Sequence, residues 1–151
     1  MSTTNLKDWL MQILFLPLVL LLNNTKRTRV LINCEDKTMV TKGLGANRWG
    51  LPGGGLKKHE TPKQGAIREV KEEVGINLDE VNLVDHGEHL FKDKLVSFTI
   101  CLIETKLDAR PDVKKQRHEV SDYAWLKRSE LNEKNSNKEL LMALTLSARG
   151  S

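Results

Sequence analysis

Residues 54–76 read GGLKKHETPKQGAIREVKEEVGI, and this stretch decides the fold. Thr61 and Pro62 mark a helix start, because threonine caps helix N-termini and proline fits the first helical position. Gly75 is a stop signal, since glycine readily adopts the left-handed conformation that ends helices. The stretch therefore predicts a glycine-rich loop followed by one helix that ends just before Gly75.

Three acids share one face of this helix. Glu69, Glu72 and Glu73 lie three and four residues apart, a spacing that brings side chains together on a helix. Like charges so placed repel, but a hard cation removes the repulsion, and oxygen ligands suit Mg²⁺ or Mn²⁺. The pattern indicates a metal site, with a solvated acidic face as the alternative. The opposite side is predicted to bury against a sheet through Ile67, Val70 and Val74.

Two further charged residues flank these acids. Arg68 lies one turn before Glu72 and either pairs with it at the surface or orients a catalytic carboxylate. Glu60 lies in the loop ahead of the helix and either binds metal through water or braces the loop. Both alternatives remain open from the residues alone.

The loop upstream favours close approach of a ligand to the backbone. Gly53, Gly54 and Gly55 can take positive φ and present no side chain to a phosphate. Trp49 precedes them, and its ring either stacks on a base or belongs to the core, of which the core is favoured. These four residues are the substrate-binding candidates.

Residues 54–76 also fill every fixed position of the Nudix box, so the chain resembles the Nudix hydrolases, which cleave nucleoside diphosphates linked to another group. The positions that carry the resemblance are Gly54, Glu60, Arg68, Glu69, Glu72, Glu73 and Gly75. The resemblance implies an α/β fold, an α/β/α sandwich with a mixed sheet between helices. It also implies a Mg²⁺ or Mn²⁺ cofactor held by Glu69, Glu72 and Glu73, with Arg68 orienting a catalytic carboxylate.

A second catalytic segment is expected near residues 117–126, where many members of the family place a glutamate shortly before a tryptophan. Glu119 is the candidate, as a general base or a further metal ligand, and Asp122 is the rival; both could also be plain surface acids. His118 either assists this acid or is solvated, of which the solvated state is favoured for a lone histidine in a polar loop. The implied mechanism is metal-assisted hydrolysis, in which Glu69 or Glu119 takes a proton from the attacking water.

Substrate markers known in the family are missing. Pro111 is the only proline after the box, and Tyr123 is the only tyrosine, so the features of ADP-ribose and dinucleoside-polyphosphate enzymes are absent. The chain is therefore expected to be a small pyrophosphohydrolase acting on (deoxy)nucleoside triphosphates. The alternatives are an ADP-ribose or nucleotide-sugar pyrophosphatase and a non-catalytic nucleotide-binding module of the same fold.

Composition supports a small-molecule substrate. The net charge is +4, but acids and bases are interspersed and aromatic residues make up only 5%, which argues against a dedicated nucleic-acid surface. Cys34 and Cys101 have neither metal-ligand spacing nor a disulfide framework. This cysteine usage predicts a reduced, cytoplasmic setting.

The sequence predicts two regions, an apolar N-terminal segment at residues 1–28 and the Nudix domain at residues 29–151. Residues 9–22 read WLMQILFLPLVLLL, a run too short for a membrane-spanning helix. We expect a helix packed on its own domain or across a homodimer. Peripheral membrane contact and true anchoring are the less favoured alternatives.

The remaining elements follow from short apolar runs and turn residues. The predicted strands are residues 29–34, 38–42, 81–88, 94–106 and 120–126, of which the first two form a hairpin. A short helix is predicted to begin at Ser129, and a terminal helix is predicted over residues 139–147.

Overall fold

A computed structural model describes residues 23–115 and 118–149 of the chain. These residues form a five-stranded sheet and two α-helices. The strands are β1 (Lys26–Cys34), β2 (Lys37–Gly43), β3 (Val84–Asp93), β4 (Val96–Leu107) and β5 (Val120–Lys127). The helices are α1 (Pro62–Val74) and α2 (Lys138–Arg149), and short 3₁₀ turns occupy Glu80–Asn82 and Arg128–Glu130.

The sheet is mixed and covered on both faces. Its strand order is β3-β4-β1-β2-β5, with β1 parallel to β4 and the other neighbours antiparallel. The core on the α1 side includes Val30, Ile32, Val70, Val74 and Ile103. The core on the α2 side includes Leu31, Val40, Leu102, Leu140 and Ala143. Successive side chains of a strand point to opposite faces of the sheet and therefore contribute to two different cores. The predicted α/β/α sandwich is confirmed.

The glycine-rich loop lies within the sheet layer. β1 and β2 pair with each other only at their hairpin end and then diverge. Residues 50–56 fill the gap through backbone hydrogen bonds from Thr28 N to Gly54 O (2.8 Å), Val30 N to Pro52 O (3.0 Å) and Thr41 N to Gly50 O (3.0 Å). The loop is therefore held by strands on both sides, which fixes its glycines relative to α1.

Helix α1 has the predicted ends. The Thr61 hydroxyl accepts a hydrogen bond from Gln64 N (3.2 Å), while the Gln64 side chain accepts one from Thr61 N (3.0 Å). Together they form a capping box. At the other end, Gly75 has φ of 71° and closes the helix through a hydrogen bond to Lys71 O. The caps fix which residues of the box are helical.

The third strand differs from the prediction. We expected it at residues 81–88, but Val81 lies in a 3₁₀ turn, and β3 begins at Val84 and continues to Asp93. The Asp79 side chain caps the turn by accepting from Val81 N. A bulge near Gly87, whose φ is 84°, then shifts the register against β4. The charged end of β3 stays in the sheet because it pairs with β4 as far as the connecting turn.

The first strand begins at Lys26, three residues before the predicted start at residue 29 and within the range assigned to the N-terminal segment. The other boundaries agree to within two residues, although the short helix expected at Ser129 is only the 3₁₀ turn Arg128–Glu130. Cys34 and Cys101 are buried free thiols. The apolar segment at residues 9–22 lies outside the described residues. Between residues 23 and 149, apart from 116 and 117, no helix is long and apolar enough to span a membrane.

Candidate active site

Arg68 is the centre of the hydrogen-bond network at the box. Its guanidinium donates to both oxygens of Glu60, from Nε to Oε1 (2.7 Å) and from Nη2 to Oε2 (2.9 Å). It also donates to Glu69 Oε1 (2.7 Å) and Glu72 Oε2 (3.1 Å) through Nη1, and to Gly55 O (3.0 Å) through Nη2. Arg68 therefore makes the Glu72 contact and also fixes two other box carboxylates, Glu60 and Glu69.

Glu60 braces the loop in this structure. Besides its two hydrogen bonds from Arg68, its Oε2 accepts from Lys57 N (2.9 Å). The Arg68 hydrogen bonds lower the pKa of Glu60 to about 2, so the carboxylate is charged at neutral pH. The pair ties the loop to the middle of α1.

Glu69 lies directly against the glycine loop. Its side chain is only 12% exposed, and a Cβ added to Gly54 would come within 2.6 Å of Glu69 Oε1. A residue with any side chain at position 54 would thus displace the carboxylate. Glu72, in contrast, is half-exposed.

Glu73 is the buried member of the acidic face. Its Oε2 accepts a hydrogen bond from Gly53 N (2.9 Å), which favours the charged form. Burial opposes this and dominates, so that the pKa of Glu73 is raised to about 7. The neighbouring Glu69 charge adds to the rise, whereas Arg29 reduces it.

The three acids lie on one side of α1, but they do not all have the same partner. Glu69 and Glu72 bind Arg68, while Glu73 binds the loop backbone. Within the described part of the chain, no three His, Cys, Asp or Glu side chains already converge as a metal site. The donor set still fits a hard divalent cation, because it is all oxygen and includes a buried carboxyl whose charge a cation would stabilise.

Glu119, the candidate of the second segment, lies within electrostatic range of Glu73. It is exposed in the turn before β5, and its charge contributes to the raised pKa of Glu73. Asp122 is also exposed and accepts a hydrogen bond from Tyr123 N (2.9 Å). His118 lies beside Glu119 in the same exposed turn.

Trp49 lies at the edge of the α2-side core. It is half-buried and packs against the α2-side core, while Lys42 Nζ lies 4.1 Å from its ring centroid. This cation–π contact uses one face of the ring. Gly55, at the end of the same loop, is exposed and contacts Arg68 through its carbonyl.

Two residues near the site were missed by the sequence analysis. Arg27 and Arg29 lie on the α2-facing side of β1, within electrostatic range of the box acids. Arg29 is buried and pairs with Glu139 at the start of α2. The signal was alternation, because both arginines occupy positions in step with buried Leu31, and a buried cation requires an anionic partner.

The arrangement places oriented carboxylates beside the backbone of the glycine loop. Glu69 is held by Arg68, so one oxygen is fixed while the other is available as a base or ligand. Cationic side chains on β1 surround the same region. Such a site suits an anionic substrate and a divalent cation.

A model of the NUDIX domain matches residues 17–144. The sequence is also 38% identical over 55 residues to an 8-oxo-dGTP diphosphatase of Proteus vulgaris, covering 36% of this chain and 49% of that protein. It is 36% identical over 55 residues to an RNA pyrophosphohydrolase of Marinomonas sp., covering 36% and 34% respectively. The chain thus spans about half or less of the length of these curated relatives.

Solved structures share the fold. A MutT protein from Methanosarcina mazei has a TM-score of 0.70 at 20% identity, covering 85% of this chain and 96% of that one. A bifunctional NMN adenylyltransferase/ADP ribose pyrophosphatase from Francisella tularensis, complexed with AMP and a manganese ion, has a TM-score of 0.71 at 20% identity. That match covers 95% of this chain and 47% of the other.

Proposed function

Because the chain belongs to the NUDIX domain family, we propose that it is a divalent-metal-dependent pyrophosphohydrolase that cleaves a phosphoric anhydride in a nucleoside diphosphate derivative. One observation carries the proposal. The box helix holds Glu69 and Glu73 against the backbone of Gly54 and Gly53, with Arg68 fixing Glu69. Oxygen donors and the backbone of the glycine loop therefore meet at one place.

Glu69, Glu72 and Glu73 are the residues that would hold Mg²⁺ or Mn²⁺. When bound, the cation neutralises diphosphate oxygens and stabilises charge on the leaving group. The manganese ion of the Francisella tularensis protein, which shares the fold, is consistent with this metal class. Glu72 is half-exposed and shares Arg68 with Glu69, so it can leave that contact without exposing a buried group.

The protein's own contribution is positioning and proton transfer. Glu69, oriented by Arg68, is placed to accept the proton of the attacking water. Glu119 is the alternative base. It is favoured over Asp122 because its charge raises the pKa of Glu73, whereas the Asp122 carboxylate accepts a hydrogen bond from Tyr123 N of the same strand. Gly55 is exposed with open space around it and would present its backbone to the phosphates, while Gly53, Gly54 and Trp49 are the other substrate-binding candidates. Phosphoryl transfer depends mainly on such positioning and charge.

For substrate, we propose a nucleotide small molecule, with (deoxy)nucleoside triphosphates first. The 8-oxo-dGTP diphosphatase among the relatives supports this class. The setting we propose is cytoplasmic, as expected from two buried, unpaired thiols.

The proposal is tested by a phosphate-release screen over nucleoside triphosphates, nucleotide sugars, ADP-ribose and dinucleoside polyphosphates, with Mg²⁺, Mn²⁺ or EDTA. We expect turnover with metal and none with EDTA. Glu72→Gln, which keeps the shape of a half-exposed side chain, should lower kcat by about two to four orders of magnitude while the fold survives. Glu80→Gln, an exposed glutamate outside the box, is the matched control and should have wild-type activity. Equal turnover in both variants would refute the assignment.

A further inference from the structure

A cavity adjoins the candidate active site. It has a volume of about 470 Å³ and lies between the start of β1 and the loop that precedes α1. Its basic lining residues are Lys26, Arg27, Lys57 and Lys58. Gly55 and Glu60 also line it, and both contact Arg68, so the cavity opens directly beside the box network.

The charge in this basic pocket is mostly uncompensated. Its one acidic lining residue, Glu60, is already neutralised by two hydrogen bonds from Arg68. Lys26 pairs with Glu88 (2.6 Å). Among the described residues, Lys57 and Lys58 have no ion-pair partner within 4.0 Å. The pocket therefore presents a net positive surface at the exit of the glycine loop.

Arg27 is the fixed part of this surface. It is half-buried, and its guanidinium carbon lies 5.3 Å from the ring centroid of Phe98, which limits its movement. No hydrogen bond or carboxylate contact to its guanidinium occurs within the part of the chain that the structure describes. Burial and the nearby Arg29 charge lower the pKa of Arg27, the charges of Glu139, Glu69 and Glu73 oppose this only in part, and a bound anion would offset the remaining cost.

The two basic groups are brought together by backbone pairing. Arg27 forms a β-bridge with Gly55, and Leu56 N donates to Lys26 O (3.0 Å). Lys57 and Lys58 follow immediately on the loop, so a strand cation and two loop cations face one space. The loop end is held to β1, which makes the pocket part of the fold.

We propose that this basic pocket binds the phosphate groups of the substrate that lie beyond the anhydride at the box. The protein would then select linear chains of three or more phosphates, as in a nucleoside triphosphate, over diphosphates esterified to a sugar. The inference rests on the proposed function, because it extends that site. A nucleotide sugar offers a neutral hydroxylated group where a triphosphate offers further charge, and only the charge gains from Lys57, Lys58 and Arg27.

Binding tests the pocket without turnover. Inorganic tripolyphosphate is titrated into the metal-free full chain in EDTA by calorimetry. We expect Lys57→Ala/Lys58→Ala and, separately, Arg27→Gln to weaken binding about tenfold or more, since each removes charge-assisted contacts. The control Lys71→Ala/Lys134→Ala removes two exposed lysines elsewhere and should bind as the wild type does. Wild-type affinity in both pocket variants would overturn the proposal.

Kinetics separate this inference from the proposed function. The pocket variants should raise KM for a nucleoside triphosphate about tenfold, with kcat little changed and KM for a nucleotide sugar unaffected. An equal rise in KM for both substrates would overturn the selectivity. If no substrate is hydrolysed, yet tripolyphosphate binding is lost in the variants, the proposed function fails and the anion pocket stands.

Discussion

Glu73 combines two opposing effects on one carboxyl. Burial raises its pKa from 4.5 to about 7, although Gly53 N donates a hydrogen bond to it. Between pH 4.5 and about 7, the Glu73 carboxyl is therefore protonated in the folded protein but ionised in the unfolded chain. The free energy of unfolding of the metal-free protein therefore falls, through this residue, as pH rises across that window.

Replacing Glu73 by Gln should remove this dependence while retaining an oxygen that accepts from Gly53. We expect Glu73→Gln to become more stable relative to the wild type by about 1–3 kcal/mol between pH 5 and pH 8. Urea unfolding in EDTA at both pH values measures the difference. Glu80→Gln is the control, and its stability should follow the wild type. A constant offset between Glu73→Gln and wild type would show that Glu73 does not titrate in this range.

Some side-chain contacts could be predicted from the sequence and others could not. Helical spacing predicts that Arg68 reaches Glu72, and it does so at 3.1 Å. It does not predict the two shorter bonds to Glu60, because these depend on how the loop returns to the helix. Arg27 was missed for a similar reason, since its neighbours Gly55 and Phe98 are distant in sequence and become adjacent only through strand pairing.

At the scale of elements, helix α1 was predictable because its signals are local. Thr61, Pro62 and Gly75 act within one turn of each end. The start of β3 was not predictable from the sequence. The Asp79 side chain caps a 3₁₀ turn within the apolar run that begins at Val81, and a bulge at Gly87 then shifts the strand register. The insertion of residues 50–56 between β1 and β2 was likewise not predictable, since it requires two strands to diverge.

The glycine loop offers a test in which each position has a different role. A Cβ at Gly53, whose φ is 134°, would lie 2.2 Å from Thr28 O, a backbone atom that cannot move freely. The nearest atoms to a Cβ at Gly54 would be those of the Glu69 carboxylate, a side chain that can shift at the cost of its contact with Arg68, and a Cβ at Gly55 would meet nothing within 4 Å. The three alanine variants should therefore separate stability from activity.

We expect Gly53→Ala to lose roughly 2 kcal/mol or more of unfolding free energy. Gly54→Ala should melt close to the wild type but lose activity at least about tenfold, because Glu69 is displaced from its position beside the loop. Gly55→Ala is the matched control and should keep the wild-type stability. Thermal melts and kcat on the best substrate are the measurements. Full activity in Gly54→Ala would mean that the position of Glu69 does not matter to turnover.

For the molecule as a whole, the apolar run at residues 9–22 bears on stability and assembly. They carry twelve large apolar side chains, more than a soluble monomer usually exposes. The described chain begins next to the β3–β4 turn, where Asn23 accepts a hydrogen bond from Ser97 N (2.7 Å) and exposed Leu95 lies nearby. Our proposal remains that this segment packs on its own domain or across a homodimer, with membrane contact as the alternative.

Deletion of residues 1–22 leaves every box residue and the Asn23 anchor in place. Because burying large apolar side chains contributes about 1.5–3 kcal/mol each before entropy, we expect the truncated protein to melt at a lower temperature or to aggregate. Differential scanning calorimetry and gel filtration measure both, and a shorter deletion of residues 1–8 is the control that spares the apolar run. If the longer deletion stayed soluble, melted as the full chain does and kept its activity, packing would be wrong. Binding of only the full chain to lipid vesicles would then identify a membrane contact instead.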